Sequence, residues 1–160
     1  MLVKKYVIKK IKLVISDVDG VLTDGGMYYS TNGESLKKFN TRDGMAVELL
    51  HTYGIKVVFL TRENSNIVKS RAKKLKIDGV YVGIKSKELI LEKICKKFTV
   101  KKDEIIYIGD DINDLKIICL VGFSACPKNA MDVIKHNVDY ICKSNGGDGV
   151  LREIAELFLK

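Results

Sequence analysis

Short apolar runs rich in β-branched residues alternate along this chain with segments whose apolar residues recur at helical spacing. That alternation restricts the fold more than any other feature. Residues 11–16 read as a buried strand, stopped by acidic residues and Gly. Residues 55–60, 79–82 and 105–108 read the same way, and 123–126 and 139–141 are shorter strands. The spacing predicts helix from about Asp43, with Ala46, Leu49, Leu50 and Tyr53 on one face and Gly54 as its stop. A second helix covers about 64–74, striped by Ile67, Val68, Ala72 and Leu75, and a third carries Leu91, Ile94, Cys95 and Phe98. Further helices run through Leu115 and Ile118, between the two short strands, and over about 149–159. Strand–helix–strand passages cross over right-handed, so the expected fold class is α/β: a doubly wound parallel sheet covered on both faces. Residues 27–39 depart from this rhythm, because two short runs flank Asn32-Gly33, a hairpin turn signal in which both residues tolerate positive φ. A hairpin inserted over about 25–39 is therefore expected. One Pro, scattered Gly and no internal repeat leave no linker, so residues 1–160 read as a single domain.

Ligands bind such sheets beyond the carboxyl ends of the strands. The first strand ends in Asp17-Val18-Asp19-Gly20, and the second in Thr61. Lys87 opens the helix after the third, and the fourth ends in Gly109-Asp110-Asp111-Ile112-Asn113-Asp114. Carboxylates, a hydroxyl and an amine are thus delivered to one rim. Crowded carboxylates repel one another and favour a hard cation, and a few oxygen ligands suit Mg²⁺. With phosphate charge neutralised, Asp17 can attack phosphorus and form an aspartyl-phosphate. Asp19 can protonate the leaving alkoxide and later deprotonate water. Thr61 and nearby backbone N–H groups can hold phosphate oxygens, and Lys87 adds positive charge.

Taken singly, each residue has a plainer explanation. Asp-x-Asp after a strand is often a turn or cap. Thr61 alone reads as an N-cap and Lys87 alone as a surface lysine. Capping needs only one of Asp110, Asp111 and Asp114. All of them at successive strand ends, in this order, favour catalysis.

The net charge is +8, yet the lysines are spread out, with no dense basic run and no aromatic-rich strand. A solvated Lys-rich surface that attracts small anions fits better than nucleic-acid binding. Cys95, Cys119, Cys126 and Cys142 form no CxxC, and His51 and His136 are isolated, which argues against zinc. The cysteines read as free, mostly buried thiols of a reducing compartment. Lysines break the apolar start of the chain, so no secretory leader is expected, and no run reaches membrane-spanning length. The expectation is a cytoplasmic protein with no membrane partner.

The stretch from Asp17 to Asp24 (DVDGVLTD), Leu60-Thr61, Lys87 and the GDDIND run from Gly109 to Asp114 resemble the four motifs of the haloacid dehalogenase superfamily, in the same order. The resemblance implies a Rossmann-like sheet, an Asp17 nucleophile and an Asp19 acid/base. It implies Mg²⁺ held by the Asp17 carboxylate, the Asp19 backbone carbonyl and Asp110, with Asp111 and Asp114 in support and Asp114 orienting Lys87. The hairpin in place of a large cap, the Phe39-Asn40-Thr41-Arg42-Asp43-Gly44 run and the Gly-rich tail from Asn145 to Glu153 resemble one subfamily. Its members are the 3-deoxy-manno-octulosonate 8-phosphate phosphatases and the nonulosonate 9-phosphate phosphatases. Such enzymes are homotetramers with centrally assembled hairpins, which implies a phosphorylated sugar acid as substrate and further copies of the chain as partners. A lone two-stranded hairpin, marginal by itself, agrees with that.

Where many octulosonate phosphatases have Leu-Thr-Gly-Arg, this chain has Leu60-Thr61-Arg62-Glu63. Thr61, Arg62 and Lys87 are expected to hold phosphate. Glu63 and Lys74 resemble the nine-carbon branch. Arg71 and Lys74 lie three apart on one helix face. They are expected to reach a neighbouring copy's site and bind the sugar-acid carboxylate, against the plainer reading that Arg71 snorkels and Lys74 is solvated. Two other functions compete: a phosphatase of the same superfamily acting on another sugar phosphate or a nucleotide, and a receiver-like or regulatory phospho-module without turnover.

Overall fold

The structure is a computed structural model that describes residues 8–159. The chain start, read above as carrying no leader, lies outside the described residues. Six parallel strands form one sheet: β1 (Leu13–Ser16), β4 (Lys56–Leu60), β5 (Gly79–Tyr81), β6 (Ile105–Ile108), β7 (Phe123–Cys126) and β8 (Tyr140–Ile141). Their spatial order is β5-β4-β1-β6-β7-β8. The chain therefore runs from β1 to one edge, returns, and fills the other half from β6 outward. The order reverses between β1 and β6, where the loops leaving the two strands diverge and open a crevice.

Helices cover both faces. Val14, Val57, Phe59, Ile106 and Ile108 point to one face. They pack there against α1 (Thr41–Thr52), α2 (Asn66–Lys74) and α6 (Val150–Glu156). Leu13, Ile15, Val58, Leu60, Ile105 and Tyr107 point to the other. They meet α3 (Lys87–Phe98), α4 (Leu115–Ile118) and α5 (Asp132–Lys135). Alternate residues of each strand thus serve opposite cores. This is why the central strands read as unbroken apolar runs rather than as period-two patterns. Each fully buried aliphatic side chain in these layers contributes about 1.5–3 kcal/mol. Cys95, Cys126 and Cys142 are buried thiols and Cys119 is exposed.

The hairpin consists of β2 (Tyr28–Ser30) and β3 (Gly33–Leu36), paired antiparallel outside the sheet. Its turn sits one residue earlier than Asn32-Gly33 suggested: Ser30 pairs with Gly33, so Thr31 and Asn32 form the loop. Gly33 alone has positive φ (101°), and Asn32 does not. Met27, Tyr28, Tyr29 and Leu36 are all exposed, and an isolated bridge between Thr23 and Phe39 closes the hairpin's base.

Several element limits differ from the sequence reading by one or two residues. Asn40 accepts from the Arg42 N–H and caps α1, which starts the helix two residues before Asp43. Val47 takes the buried position assigned to Leu49, and Tyr53, after the last helical turn, is exposed. Ser65 begins α2 later than residue 64.

Candidate active site

The two halves of the site meet across the switch point. Asp17 leaves β1 with its N–H donated to the Ile108 carbonyl at 2.9 Å. The Val18 carbonyl then accepts from the N–H groups of Val21, Leu22 and Thr23, so the chain after the strand folds into a tight turn. Gly20, at φ +82°, lets this turn approach the β6 loop: a Cβ there would lie 2.0 Å from Asp110 Oδ2. The Gly-rich tail braces the turn from behind. A Cβ on Gly146 would lie 2.0 Å from the Gly20 carbonyl oxygen, and the Gly147 N–H donates to the Val21 carbonyl.

Beneath the turn lies a buried charge chain. The Lys87 ammonium, fully buried at the first position of α3, sits 2.7 Å from Asp17 Oδ2 and 2.6 Å from Asp114 Oδ1. Asp17 Oδ1 accepts from the Val18 N–H at 2.7 Å. Asp114 Oδ1 also accepts from the Tyr107 hydroxyl at 2.5 Å, and its Oδ2 accepts from the Asp110 and Asp111 N–H groups at 3.0 and 3.4 Å. Every lone pair of Asp114 is thus turned toward the protein. Lys87 is therefore no surface lysine, and Thr61 is no cap. Thr61 is buried, its Oγ1 accepts from the Glu63 N–H at 3.2 Å, and Ser65, not Thr61, stands at the N-cap position of the next helix.

Burial raises the Asp17 pKa well above the ordinary carboxylate range, reinforced by the Asp114 charge and opposed by Lys87. Burial, then Asp114 and Asp111, push Asp110 up to about 7. Burial works against the Lys87 charge, but Asp17 and Asp114 outweigh it and hold its pKa above normal. Two carboxylates destabilised as anions on one rim make a place where a cation is favoured. Carboxylate oxygens of Asp17, Asp110 and Asp114 lie within 4.8 Å of one another. Because Asp114 is already saturated, Asp17 and Asp110 are the pair suited to face a metal ion.

Asp17, Asp19, Thr61, Arg62, Glu63, Asp110 and Asp111 come together in an open cleft of about 280 Å³, with Lys87 and Asp114 behind it. Asp111 is exposed and its Oδ1 accepts from the Ile112 N–H at 2.7 Å. Arg71 and Lys74 do not line this cleft. The Arg71 guanidinium lies 5.6 Å from the Phe39 ring centre and donates to the Asn40 carbonyl at 3.3 Å, while Lys74 is exposed. A larger cleft of about 560 Å³ lies beside α6, lined by Asp148, Glu153 and Glu156, which form no close acidic cluster among the described residues. Glu153 is taken up by the Tyr140 hydroxyl and the N–H groups of Lys143 and Ser144.

Sequence reasoning missed four residues here. Tyr107 was legible only as core. Lys37, just after β3, places its ammonium 2.6 Å from Asp19 Oδ1 and 2.5 Å from Glu34 Oε1, and Glu34 Oε2 accepts from the Ser65 hydroxyl at 2.7 Å. Burial opposes the Lys37 charge, yet Asp19 and Glu34 raise its pKa. Nothing in the pair Lys37-Lys38 tells the buried lysine from the exposed one; only the alternation after β3 could have.

The family model of haloacid dehalogenase-like hydrolases matches residues 59–154, which include Thr61, Lys87 and the Asp110–Asp114 loop. This chain belongs to the haloacid dehalogenase-like hydrolases. Within that family it is an enzyme of the phosphatase kind, similar in sequence and fold to octulosonate phosphatases. The 3-deoxy-D-manno-octulosonate 8-phosphate phosphatase KdsC of Haemophilus influenzae is 36% identical over 153 residues, 96% of this chain and 85% of that protein. Its Escherichia coli K12 counterpart is 34% identical over 151 residues, 94% of this chain and 80% of that one. The Moraxella catarrhalis 3-deoxy-D-manno-octulosonate 8-phosphate phosphatase, solved with magnesium, phosphate and KDO, matches with a TM-score of 0.95 at 35% identity, over 99% of this chain and 91% of that one. The cobalt-bound Haemophilus influenzae enzyme matches with 0.93 at 36% identity, over 96% and 90%. As a haloacid dehalogenase-like hydrolase, the chain carries the expected six-stranded parallel sheet and small hairpin. Among the described residues, no helix is long and apolar enough to cross a membrane.

Proposed function

We propose that this hydrolase is a Mg²⁺-dependent phosphomonoesterase for a 2-keto-3-deoxy sugar-acid phosphate, with 3-deoxy-D-manno-octulosonate 8-phosphate as the leading substrate. The observation that carries it is the convergence of Asp17, Asp19, Thr61 and Asp110 in one cleft with Lys87 beneath, on a chain 36% identical to an octulosonate phosphatase. Asp17 attacks phosphorus, the bond to the leaving oxygen breaks, and Asp19 gives that oxygen its proton. Asp19 then takes a proton from the water that attacks the aspartyl-phosphate, which releases phosphate and restores Asp17. Lys87 and the Thr61 hydroxyl stabilise the transferring group. The Asp17 and Asp110 carboxylates and the Asp19 carbonyl would hold Mg²⁺, which when bound offsets the phosphate charge that otherwise repels an attacking carboxylate.

Arg62 is suited to the phosphate and Glu63 to a sugar hydroxyl, since both line the cleft. The exposed Glu63 also favours a nonulosonate 9-phosphate as the alternative. We assign Arg71 and Lys74 to the sugar-acid carboxylate at the site of a neighbouring copy in a homotetramer joined through the hairpins. The free thiols agree with work in the cytoplasm. A phosphate-release screen tests the reading, using octulosonate 8-phosphate, nonulosonate 9-phosphates and hexose phosphates with Mg²⁺ or EDTA. Strong preference for a sugar-acid phosphate, abolished by EDTA, supports it. Equal turnover of hexose phosphates, or activity that survives EDTA, overturns it.

A further inference from the structure

Lys37 has a role that the phosphoryl-transfer scheme above does not use. Its side chain is 1% exposed, unusual for a lysine, and its ammonium bridges Asp19 Oδ1 and Glu34 Oε1. Fixing so long a side chain costs rotamer entropy, and a buried charge persists only when it is paired. The hairpin's base is pinned beside the nucleophile turn by the Thr23–Phe39 bridge, two residues past Lys37. On the far side, Glu34 is held by the Ser65 hydroxyl at the start of α2. The ammonium is thus fixed by the body of the protein on both sides before it meets Asp19.

The consequence for Asp19 is an asymmetry between its two oxygens. Oδ1 is clamped at 2.6 Å, whereas Oδ2 is buried and has no hydrogen-bond partner among the described residues. Asp19 also lines the catalytic cleft. We infer that Lys37 is a positioning residue that fixes the Asp19 carboxyl by Oδ1, so that Oδ2 is the oxygen presented to the leaving group. The hairpin thereby contributes to the chemistry of its own subunit, apart from any part in assembly. This rests on Asp19 acting as the acid/base.

The test compares leaving groups. An alkyl phosphate needs a proton on its leaving oxygen, while 4-nitrophenolate departs without one, and kcat/KM reports only the steps through leaving-group departure. In Lys37→Met, kcat/KM for octulosonate 8-phosphate should fall at least about tenfold, within the range general-acid catalysis spans. For 4-nitrophenyl phosphate it should stay within about twofold. Glu34→Gln, which weakens one of the two anchors of Lys37 but leaves the Lys37–Asp19 pair, should shift the alkyl-to-aryl ratio in the same direction and by less. Equal losses on both esters, no loss on either, or a larger shift of the ratio in Glu34→Gln than in Lys37→Met would overturn the assignment. Should Lys37→Met not fold, Lys37→Gln carries the same comparison and the same expected drop in the ratio. If the unaltered enzyme ignores octulosonate 8-phosphate, the substrate reading fails. The best alkyl phosphate from the screen then supplies that arm, so the two failures are told apart.

Discussion

The Tyr107 hydroxyl donates to Asp114 Oδ1 at 2.5 Å, on the same oxygen that takes the Lys87 ammonium at 2.6 Å. A strand residue of the core therefore helps set the acid that holds Lys87. Tyr107→Phe removes one of two donors on that oxygen and leaves the aromatic packing in place. The loss of a buried bond to a charged partner should cost about 1–3 kcal/mol of stability. Lys87 keeps both carboxylates, so kcat should drop by less than about tenfold, far less than the 10²–10³ typical of losing a direct electrostatic donor. Thermal melts and phosphate-release kinetics check both. A hundredfold loss of kcat with an unchanged melting temperature would mean that Tyr107 acts on the substrate directly.

Asp17→Asn should abolish turnover, because an amide cannot attack phosphorus and be regenerated. The fold should survive: burial already disfavours the charged form of Asp17, and Lys87 retains Asp114 as a partner. Circular dichroism and a phosphate assay suffice, and full activity would sink the mechanism. The inactive variant also tests shared sites. Lys74 is exposed and lies outside its own subunit's cleft, so Lys74→Ala leaves the chemistry intact within a subunit. If Lys74 serves a neighbour, mixed oligomers of Lys74→Ala and Asp17→Asn should recover activity beyond the two parents' sum. No recovery in verified mixed oligomers would restrict Lys74 to solvent.

What could be read from the sequence follows from what was local. The strand-end acids, Thr61 and Lys87 were legible because a parallel sheet places its strand ends on one rim, whatever the details of packing. The two-sided core was legible for the same reason, since unbroken runs such as Leu13–Ser16 require helices on both faces. The partners of those residues were not legible. Tyr107 and Lys37 act through side-chain directions fixed by tertiary packing, and their residue types look ordinary in a strand and in a Lys-rich loop. The Gly146 contact with Gly20 joins segments more than a hundred residues apart in sequence, beyond any periodicity. The hairpin turn was displaced by one residue because Gly33 alone takes the positive φ that Asn32 was expected to share.

Gly20 should be intolerant of even a methyl group. Its φ of +82° already disfavours alanine, and the added Cβ would lie 2.0 Å from Asp110 Oδ2. The left-handed backbone costs about 1–2 kcal/mol, but displacement of the Asp110 carboxylate is the larger effect on function. Gly20→Ala should therefore need several-fold more Mg²⁺ for half-maximal activity and show at least a tenfold lower kcat, with only a modest fall in melting temperature. A Mg²⁺ titration of activity read beside thermal melts decides it. An unchanged Mg²⁺ requirement would show that Asp110 is not a metal ligand.

Asp43 makes a pH prediction away from the chemistry. From the first turn of α1 its Oδ1 accepts from the Arg152 N–H at 3.1 Å, so one helix caps another, while Oδ2 is buried without a hydrogen-bond partner among the described residues. Burial pushes its pKa from 3.8 up to about 6, against the backbone hydrogen bonds and the Arg71 charge and with help from Asp148. The folded state therefore holds this proton more tightly than the unfolded chain does. The stabilisation that this gives is full below pH 3.8, fades between there and about 6, and is gone above. At about 1.4 kcal/mol per pH unit the span is at most about 3 kcal/mol. Asn at this position still accepts the Arg152 N–H and does not ionise. The stability of Asp43→Asn relative to the unaltered protein should thus rise between pH 4 and about 6 and level off above, as measured by urea unfolding across that range. Parallel stability curves for the two proteins would show that Asp43 ionises in the fold as freely as in water.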